Sequence, residues 1–510
     1  MQVKRIGLFA LALSLGTAFS LGTAAQAQDV VTKQYDDGSV YEGTFKDGRQ
    51  DGTGTYTLPN GYTYTGAWVD GEIKGQGTAR YPDGSVYEGQ FAKGRPVGKG
   101  KITFPDGGTY VGDWSDGAMT GQGVATYANG AVYTGAFKDG KQDGKGIMVD
   151  QGGTRYDVEW VAGVKEGTGK ISYPDGTIYD GALKGGKRHG TGKLIMPDGL
   201  TYLGDWADGQ INGTGKLTQP NGDVYEGSFK DGQRDGEGRV TYANGDTYLG
   251  NFKADKRDGT GAFTAKDGTR YEGTWVAGRM QGSGMMTYPD GSVYDGAFNA
   301  DQPDGTGKIT YPDKSTYEGA WVAGVITGKG RATYASGLVY EGDFVAAKPE
   351  GQGKMTYTDG YTYVGTWKGG QREGQGVATY KDGTVYTGQF TAGLRNGKGN
   401  LTSPDGFTYV GDWKAGVIEG QGVATYPGGD VYEGTFVAGK RQGTGKLTYK
   451  AGQLSQGVWK NGILTAPASD PAPPPNTTPA PDATPVAPAS PAAASPTIPA
   501  ATAPTPQTGN

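Results

Sequence analysis

The sequence predicts an all-β chain, an elongated, solenoid-like single-layer sheet of stacked β-hairpins. Three observations predict it. Tyrosine falls at 41, 64, 87, 110, 133, 156, 179, 202, 225, 248, 271, 294, 317, 340, 363, 386, 409 and 432, so 18 units of 23 residues follow one another without an insertion. With each tyrosine as position 1, glycine fills positions 12 and 14 of every unit, from Gly52 and Gly54 to Gly443 and Gly445. Within a unit the period is two: position 3 is glycine except at Val158, and position 5 is Trp or Phe except at Leu183. Positions 1, 3 and 5 therefore share one face of a strand.

The elements follow in order. Residues 1–27 hold a basic start (Lys4, Arg5), an apolar run from Ile6 to Phe19, and the small residues Ala25 and Ala27 around Gln26. This three-part pattern is that of a secretory signal peptide cleaved after Ala27. It predicts an exported protein, periplasmic or extracellular, with a peripheral membrane association as an option. Residues 28–40 read as an N-terminal partial repeat or cap, and 41–454 as the 18 repeats. In each repeat, positions 1 to 5 form one strand and 12 to 18 a second. Glycines opposite the rings leave room for the rings to lie flat across the neighbouring strand. Pro-Asp-Gly or Pro-Asn-Gly from position 19 supplies many of the turns between repeats. Residues 455–464 read as a C-terminal partial repeat. Residues 465–510 carry 14 of the 27 prolines and no aromatic or basic residue, which predicts a disordered spacer or tether.

A lone hairpin is marginal in water, so the repeats must stack to bury their aromatic face. The composition narrows the chemistry. Glycine numbers 97 of 510 residues, far above roughly 7% in average proteins, yet without the three-residue period of collagen. With Cys 0, thiolate nucleophiles, disulfides and thiolate metal centres are excluded. One histidine, His189, makes a Ser-His-Asp triad a poor fit. A net charge of −5 argues against nucleic acid. The carboxylates recur with the repeat, whereas a catalytic pair should be singular. The reading is therefore no enzyme, no cofactor and no metal.

The unit Tyr41-Glu-Gly-Thr-Phe-Lys-Asp-Gly-Arg-Gln-Asp-Gly-Thr-Gly-Thr-Tyr56, followed by a Pro-Asn-Gly turn, resembles the MORN repeat. The resemblance covers 41–454. It implies a twisted sheet of stacked hairpins, scaffold or tether roles often linked with membranes or self-association, and a capacity for phospholipid binding. MORN repeats also stand beside the catalytic domain of plant phosphatidylinositol-phosphate kinases. Here signal, repeats and tail use up the 510 residues and leave none for a kinase domain.

A second period lies inside the first. All nine tryptophans, Trp68, Trp114, Trp160, Trp206, Trp275, Trp321, Trp367, Trp413 and Trp459, occupy position 5 and alternate with Phe or Leu, slipping once between Phe229 and Phe252. The five alanines at position 16 all lie in Trp repeats, so large faces small. Positions 9 to 11, taken as the hairpin tips, follow the same beat. Trp repeats present Ile73, Met119, Ile211, Met280, Ile326 and Ile418. The others present Arg49, Arg95, Lys187, Arg188, Lys256, Arg257, Lys440 and Arg441. One reading makes these solvated turns. The other makes them apolar and basic teeth of an interaction edge for a protein, an envelope lipid or a polysaccharide, with homo-oligomerisation as a further option. Asp or Glu at position 11 beside many basic teeth weighs against an anionic surface. The sequence thus points to a non-enzymatic scaffold for protein or envelope interactions, with a phospholipid- or polysaccharide-binding module as the alternative.

Overall fold

Pairs of positive-φ residues at the hairpin turns, Asp47-Gly48 or Ala346-Ala347 for example, set the architecture before any packing does. The computed structural model describes residues 29–467 and contains strands and turns only. The signal-peptide reading at 1–27 and most of the proline-rich tail therefore lie outside the described residues. These divide into two compact units, one up to Pro197 and one from Asp198. The first holds fifteen strands, β1 (Val31–Gln34) to β15 (Lys187–Ile195). The second holds twenty-four, β16 (Thr201–Ala207) to β39 (Ile463–Pro467). Each unit is an antiparallel meander in one layer, in which seven-residue strands alternate with nine-residue ones.

One repeat shows the logic. β2 (Val40–Lys46) and β3 (Arg49–Thr57) are joined by Asp47 and Gly48, with φ of 50° and 81°. Two consecutive residues in the left-handed region make the hairpin turn whose twist matches the strands. Position 9 is consequently already in the ladder, Lys46 facing Arg49. This corrects the reading of positions 9 to 11 as a tip: the tip is positions 7 and 8, and the second strand starts at 9 rather than 12.

Within the hairpin Tyr41 faces Tyr56, Gly43 faces Gly54, and then the register breaks, so that Phe45 faces Gln50. One residue on β2 opposes three on β3, a bulge that accentuates bending. Gly52 sits in it with φ of 100°, and position 12 has positive φ in all 18 repeats. A side chain at Gly75, the next such position, would meet Ala67 Cβ of the opposite face at 3.0 Å. Position 12 is thus glycine for its backbone conformation, not for ring clearance as expected. The clearance is at positions 3 and 14. A Cβ at Gly54 would stand 2.4 Å from Tyr41 Oη, and one at Gly43 equally close. The ring lies flat on the glycine pair, and its hydroxyl donates to the position-4 carbonyl, Thr44 O at 3.1 Å.

Repeat 6 supplies the exception that supports this. Val158 replaces the glycine at position 3 and is itself buried, 3% exposed. Tyr156 is only half-buried, and its hydroxyl donates instead to Asp150 Oδ2 at 3.2 Å while Lys165 Nζ lies 3.8 Å over its ring.

Between repeats the register is unbroken: Gly52 faces Trp68, Gly54 faces Gly66, and Tyr56 faces Tyr64. Most position-5 rings are wedged edge-on between two tyrosines, Trp68 at 5.0 Å from Tyr41 and 5.7 Å from Tyr64. Its indole N–H donates to Gly54 O at 3.3 Å. Trp68 also meets Tyr56, at position 16 of the preceding repeat. In each unit the core is a column of such rings on one face, with Tyr41, Tyr64, Tyr87 and Tyr110 fully buried in the first. At the C-terminal end, Leu464 pairs with Trp459 and Pro467 with Gly457. Residues 465–467, assigned to the tail, therefore belong to a strand, because the ladder on β38 (Leu454–Lys460) runs past Leu464.

Candidate interaction surface

The residues proposed as teeth separate by parity. Because the bulge admits two extra residues, position 10 points to the same face as position 14, towards the rings. In register, Ile73 faces Trp68, Met119 faces Trp114, Ile211 faces Trp206, Met280 faces Trp275, Ile326 faces Trp321, and Ile418 faces Trp413. Met280, Ile326 and Ile418 are buried, and Ile73, Met119 and Ile211 half-buried. They are lids on the indoles, which corrects their placement as exposed apolar teeth.

The position-10 arginines do similar work. Arg257 lies 4.2 Å over Trp275, and Arg395 and Arg441 each 4.6 Å over Trp413 and Trp459. Arg395 Nη2 and Arg441 Nη2 donate to Gly416 O and Gly462 O in the next turn, at 2.7 and 2.8 Å. Arg188 faces Leu183 and is half-buried, its guanidinium 5.9 Å from the Tyr179 ring. Burial lowers the pKa of Arg395, whose Nε and Nη1 find no partner. The position-9 cations Arg49, Arg95, Lys187, Lys256 and Lys440 do stand exposed along the rim, with Arg95 paired to Asp116 at 2.6 Å.

Strand bending closes the inner face. Position 10 lies at the opposite end of the strands from position 18 and from the turn at position 22, yet Gln50 Nε2 donates to Tyr35 Oη, at position 18, at 2.7 Å in the first unit. In the second, Arg372 Nη1 donates to Tyr361 Oη at 2.6 Å. The rims approach one another over the position-1 tyrosines, whose pKa burial pushes up, to about 12 for Tyr64 and Tyr87. The recurring acids are equally committed. Position 11 accepts the turn N–H of the next repeat, as in Ala162 to Asp143 at 3.1 Å and Ala438 to Glu419 at 2.8 Å. The turn aspartates accept the N–H two residues on, as in Ser85 to Asp83 at 2.8 Å. Among the described residues, no three His, Asp or Glu side chains gather closely enough to hold a metal ion.

The outer face is what remains free. Positions 2 and 15 alternate along it in one row, and positions 4 and 13 in another, with the glycine pairs between. Many row positions carry acid–base pairs such as Lys216–Glu226 and Arg331–Glu341, both at 2.9 Å. Others are apolar: Val364 faces Val377 and Val410 faces Val423, with exposures of 50, 37, 56 and 38%. Where the glycine floor is least covered it forms grooves. One of about 1100 Å³ runs from Gln375 to Pro467 in the second unit. Another of about 920 Å³ runs from Thr65 to Thr134 in the first. The sequence reading missed this face because its residues change from repeat to repeat, while the glycines beneath them were assigned wholly to the rings.

Comparison with known proteins bears on the fold. The MORN repeat profile matches eighteen successive segments, from 41–61 to 432–453. No curated protein matches the chain. Solved structures with local likeness include the SAS-4 TCP domain of Drosophila melanogaster, in complex with a proline-rich motif of Ana2. It is 13% identical, covers 48% of this chain and 90% of its own, and has a TM-score of 0.16. The TCP10 domain of Danio rerio CPAP is 16% identical over 51% and 96%, with a TM-score of 0.13. A streptogramin B lyase is 12% identical over 67% and 91%, with a TM-score of 0.11. These scores are too low to indicate a shared global fold. The eighteen matched segments and the stacked hairpins they form make the chain a member of the MORN-repeat family.

Proposed function

We propose that this chain is an exported, non-enzymatic scaffold that presents its outer face to a protein partner in the envelope or outside the cell. One observation carries the reading. The inner face spends its rings and arginines on its own packing and the position-11 acids hold the turns, whereas the outer face keeps an exposed valine row (Val364, Val377, Val410, Val423) beside a glycine-floored groove. Exposed apolar rows rimmed by charge are a common mark of protein contact. Retention of envelope proteins on the immobilised chain tests it. A protein held by the native chain and lost from Val410→Glu/Val423→Glu supports the proposal, and identical retention by both defeats it.

A second reading is favoured by the exposed rim cations, Arg49, Lys187, Lys256 and Lys440. They could hold an anionic lipid surface or polysaccharide. Cosedimentation with phosphatidylglycerol vesicles, compared between the native chain and a variant with these four changed to glutamate, decides it. The N-terminal mass of the secreted protein tests export and cleavage after Ala27.

A further inference from the structure

The groove of the second unit ends where the described chain ends, with Ala466 and Pro467 in its wall. Pro467 faces Gly457, one of the glycines of the groove floor, so the described chain ends level with the groove, which crosses the strands there. At least 43 residues follow, from Ala468 to Asn510, proline-rich, with the acids Asp470 and Asp482 and no base.

Spacing says what those residues would meet on turning back over the edge. Strands lie about 4.8 Å apart and an extended proline-rich chain advances about 3.1 Å per residue. Asp470, three residues beyond Pro467, would reach about 9 Å, or two strands in. That strand, β37 (Lys440–Thr448), carries the exposed Lys446 in the groove wall. Pro473 to Pro475 would reach roughly 19 to 25 Å by the same arithmetic, four to five strands in. There Val423 and Val410 line the groove with 38 and 56% of their surface exposed. Charge meets charge and ring meets methyl in one alignment. Seven strand steps to Thr387 make about 34 Å, which about 11 residues cover.

We propose that residues 468–478 dock back along this groove, Asp470 on Lys446 and Pro473–Pro475 on Val423 and Val410, so that the chain occupies its own outer face. The proposal shares with the partner reading only the premise that this face is free, and its test needs no partner.

The cysteine-free chain makes the experiment clean. A nitroxide is attached to Gln421→Cys in the groove wall or, as a control, to Lys440→Cys on the rim, and the amide signals of Ala472, Asn476 and Thr477 are followed. Docking gives at least a fivefold intensity loss from the groove label, little loss from the rim label, and recovery when Lys446→Glu is added. Mixing nitroxide-labelled chains with isotope-labelled ones should give no loss. Equal losses from both labels, no loss from the groove label, no recovery in Lys446→Glu, or a loss in the mixed sample, which would place a second copy in the groove, each overturns the proposal. Partner retention by the valine row stands or falls separately.

Discussion

Replacing Gly376 by alanine isolates the contact on which every repeat depends. Gly376 lies in β31 (Gln371–Thr379) under the ring of Tyr363, which opens β30 (Thr362–Lys368) as its second residue and is fully buried. A Cβ there would stand 2.4 Å from Tyr363 Cε2 and Oη, about 1 Å inside van der Waals contact. The ring has nowhere to retreat. Trp367 lies at 5.2 Å on one side and Phe390 at 4.9 Å on the other, and its hydroxyl donates to Thr366 O at 3.0 Å. Overpacking costs about 1–3 kcal/mol, a broken buried hydrogen bond about 1–3 kcal/mol, and each lost ring pair about 0.5–1.5 kcal/mol. These are parts of one displacement and do not add fully, so the expected cost is about 3–5 kcal/mol.

Because stacked repeats are stabilised chiefly by their neighbours, the loss should stay local. Amide exchange over residues 363–380 should accelerate roughly 140- to 4000-fold at about 1.4 kcal/mol per decade, with peptides of the first unit unchanged. Gly374→Ala is the control. There φ is 66° and the nearest atom to a Cβ is Thr366 Cβ at 3.6 Å, so only the backbone penalty of about 1–2 kcal/mol applies. Val158→Gly is the converse, and it should let Tyr156 settle into its crease and slow local exchange. If Gly376→Ala costs no more than Gly374→Ala, the reasoning from ring clearance is wrong.

Further outcomes follow from the same geometry. Arg395→Met should raise the urea midpoint, by about 1 kcal/mol of stability, because it removes a 3%-exposed charge with two unpaired nitrogens and places there the residue that already serves at Met280; a loss above 1 kcal/mol would show the stack on Trp413 to dominate. Ala378 and Leu401 both face Tyr386, so Ala378→Leu should cost about 1–3 kcal/mol and Leu401→Ala about 2–5 kcal/mol, with the double variant recovering part of the sum; strict additivity would refute a shared volume. Burial raises the position-1 tyrosines, Tyr64, Tyr87, Tyr110 and Tyr133 to about 12, above the ordinary 10.0, so the folded state holds their protons more tightly than the unfolded one. That stability is fully present below pH 10 and is lost as pH rises towards 12, so tyrosinate absorbance should appear together with loss of the circular-dichroism signal; ionisation well before unfolding would contradict it.

What the sequence disclosed and what it withheld divide along one physical line. The stacking, the two-residue period and the ring-over-glycine contact are relations between residues a few positions apart, repeated 18 times, and Tyr41, Gly43 and Gly54 are enough to read them. The inward turn of Ile326 or Arg441 is different. It depends on the second strand starting at position 9, so that position 10 shares the parity of position 14 across a bulge whose two extra residues leave that parity unchanged. The bulge's only trace is a glycine at position 12 that an ordinary hairpin would also tolerate. Counting from a tip at 9 to 11 sent the wrong residues outward, although Asp47-Gly48 was a legible two-residue turn signal. The acids at position 11 were unreadable for another reason. Asp143 serves Ala162, 19 residues on in the next repeat, and no local motif links them. Once those groups are committed to packing and turns, the residues free to vary are those of positions 2, 4, 13 and 15, where repetition is weakest and a period search is blind. Repetition therefore exposes the residues that must agree with their copies, and recognition has to be sought where Val410, Lys446 and their neighbours disagree with theirs.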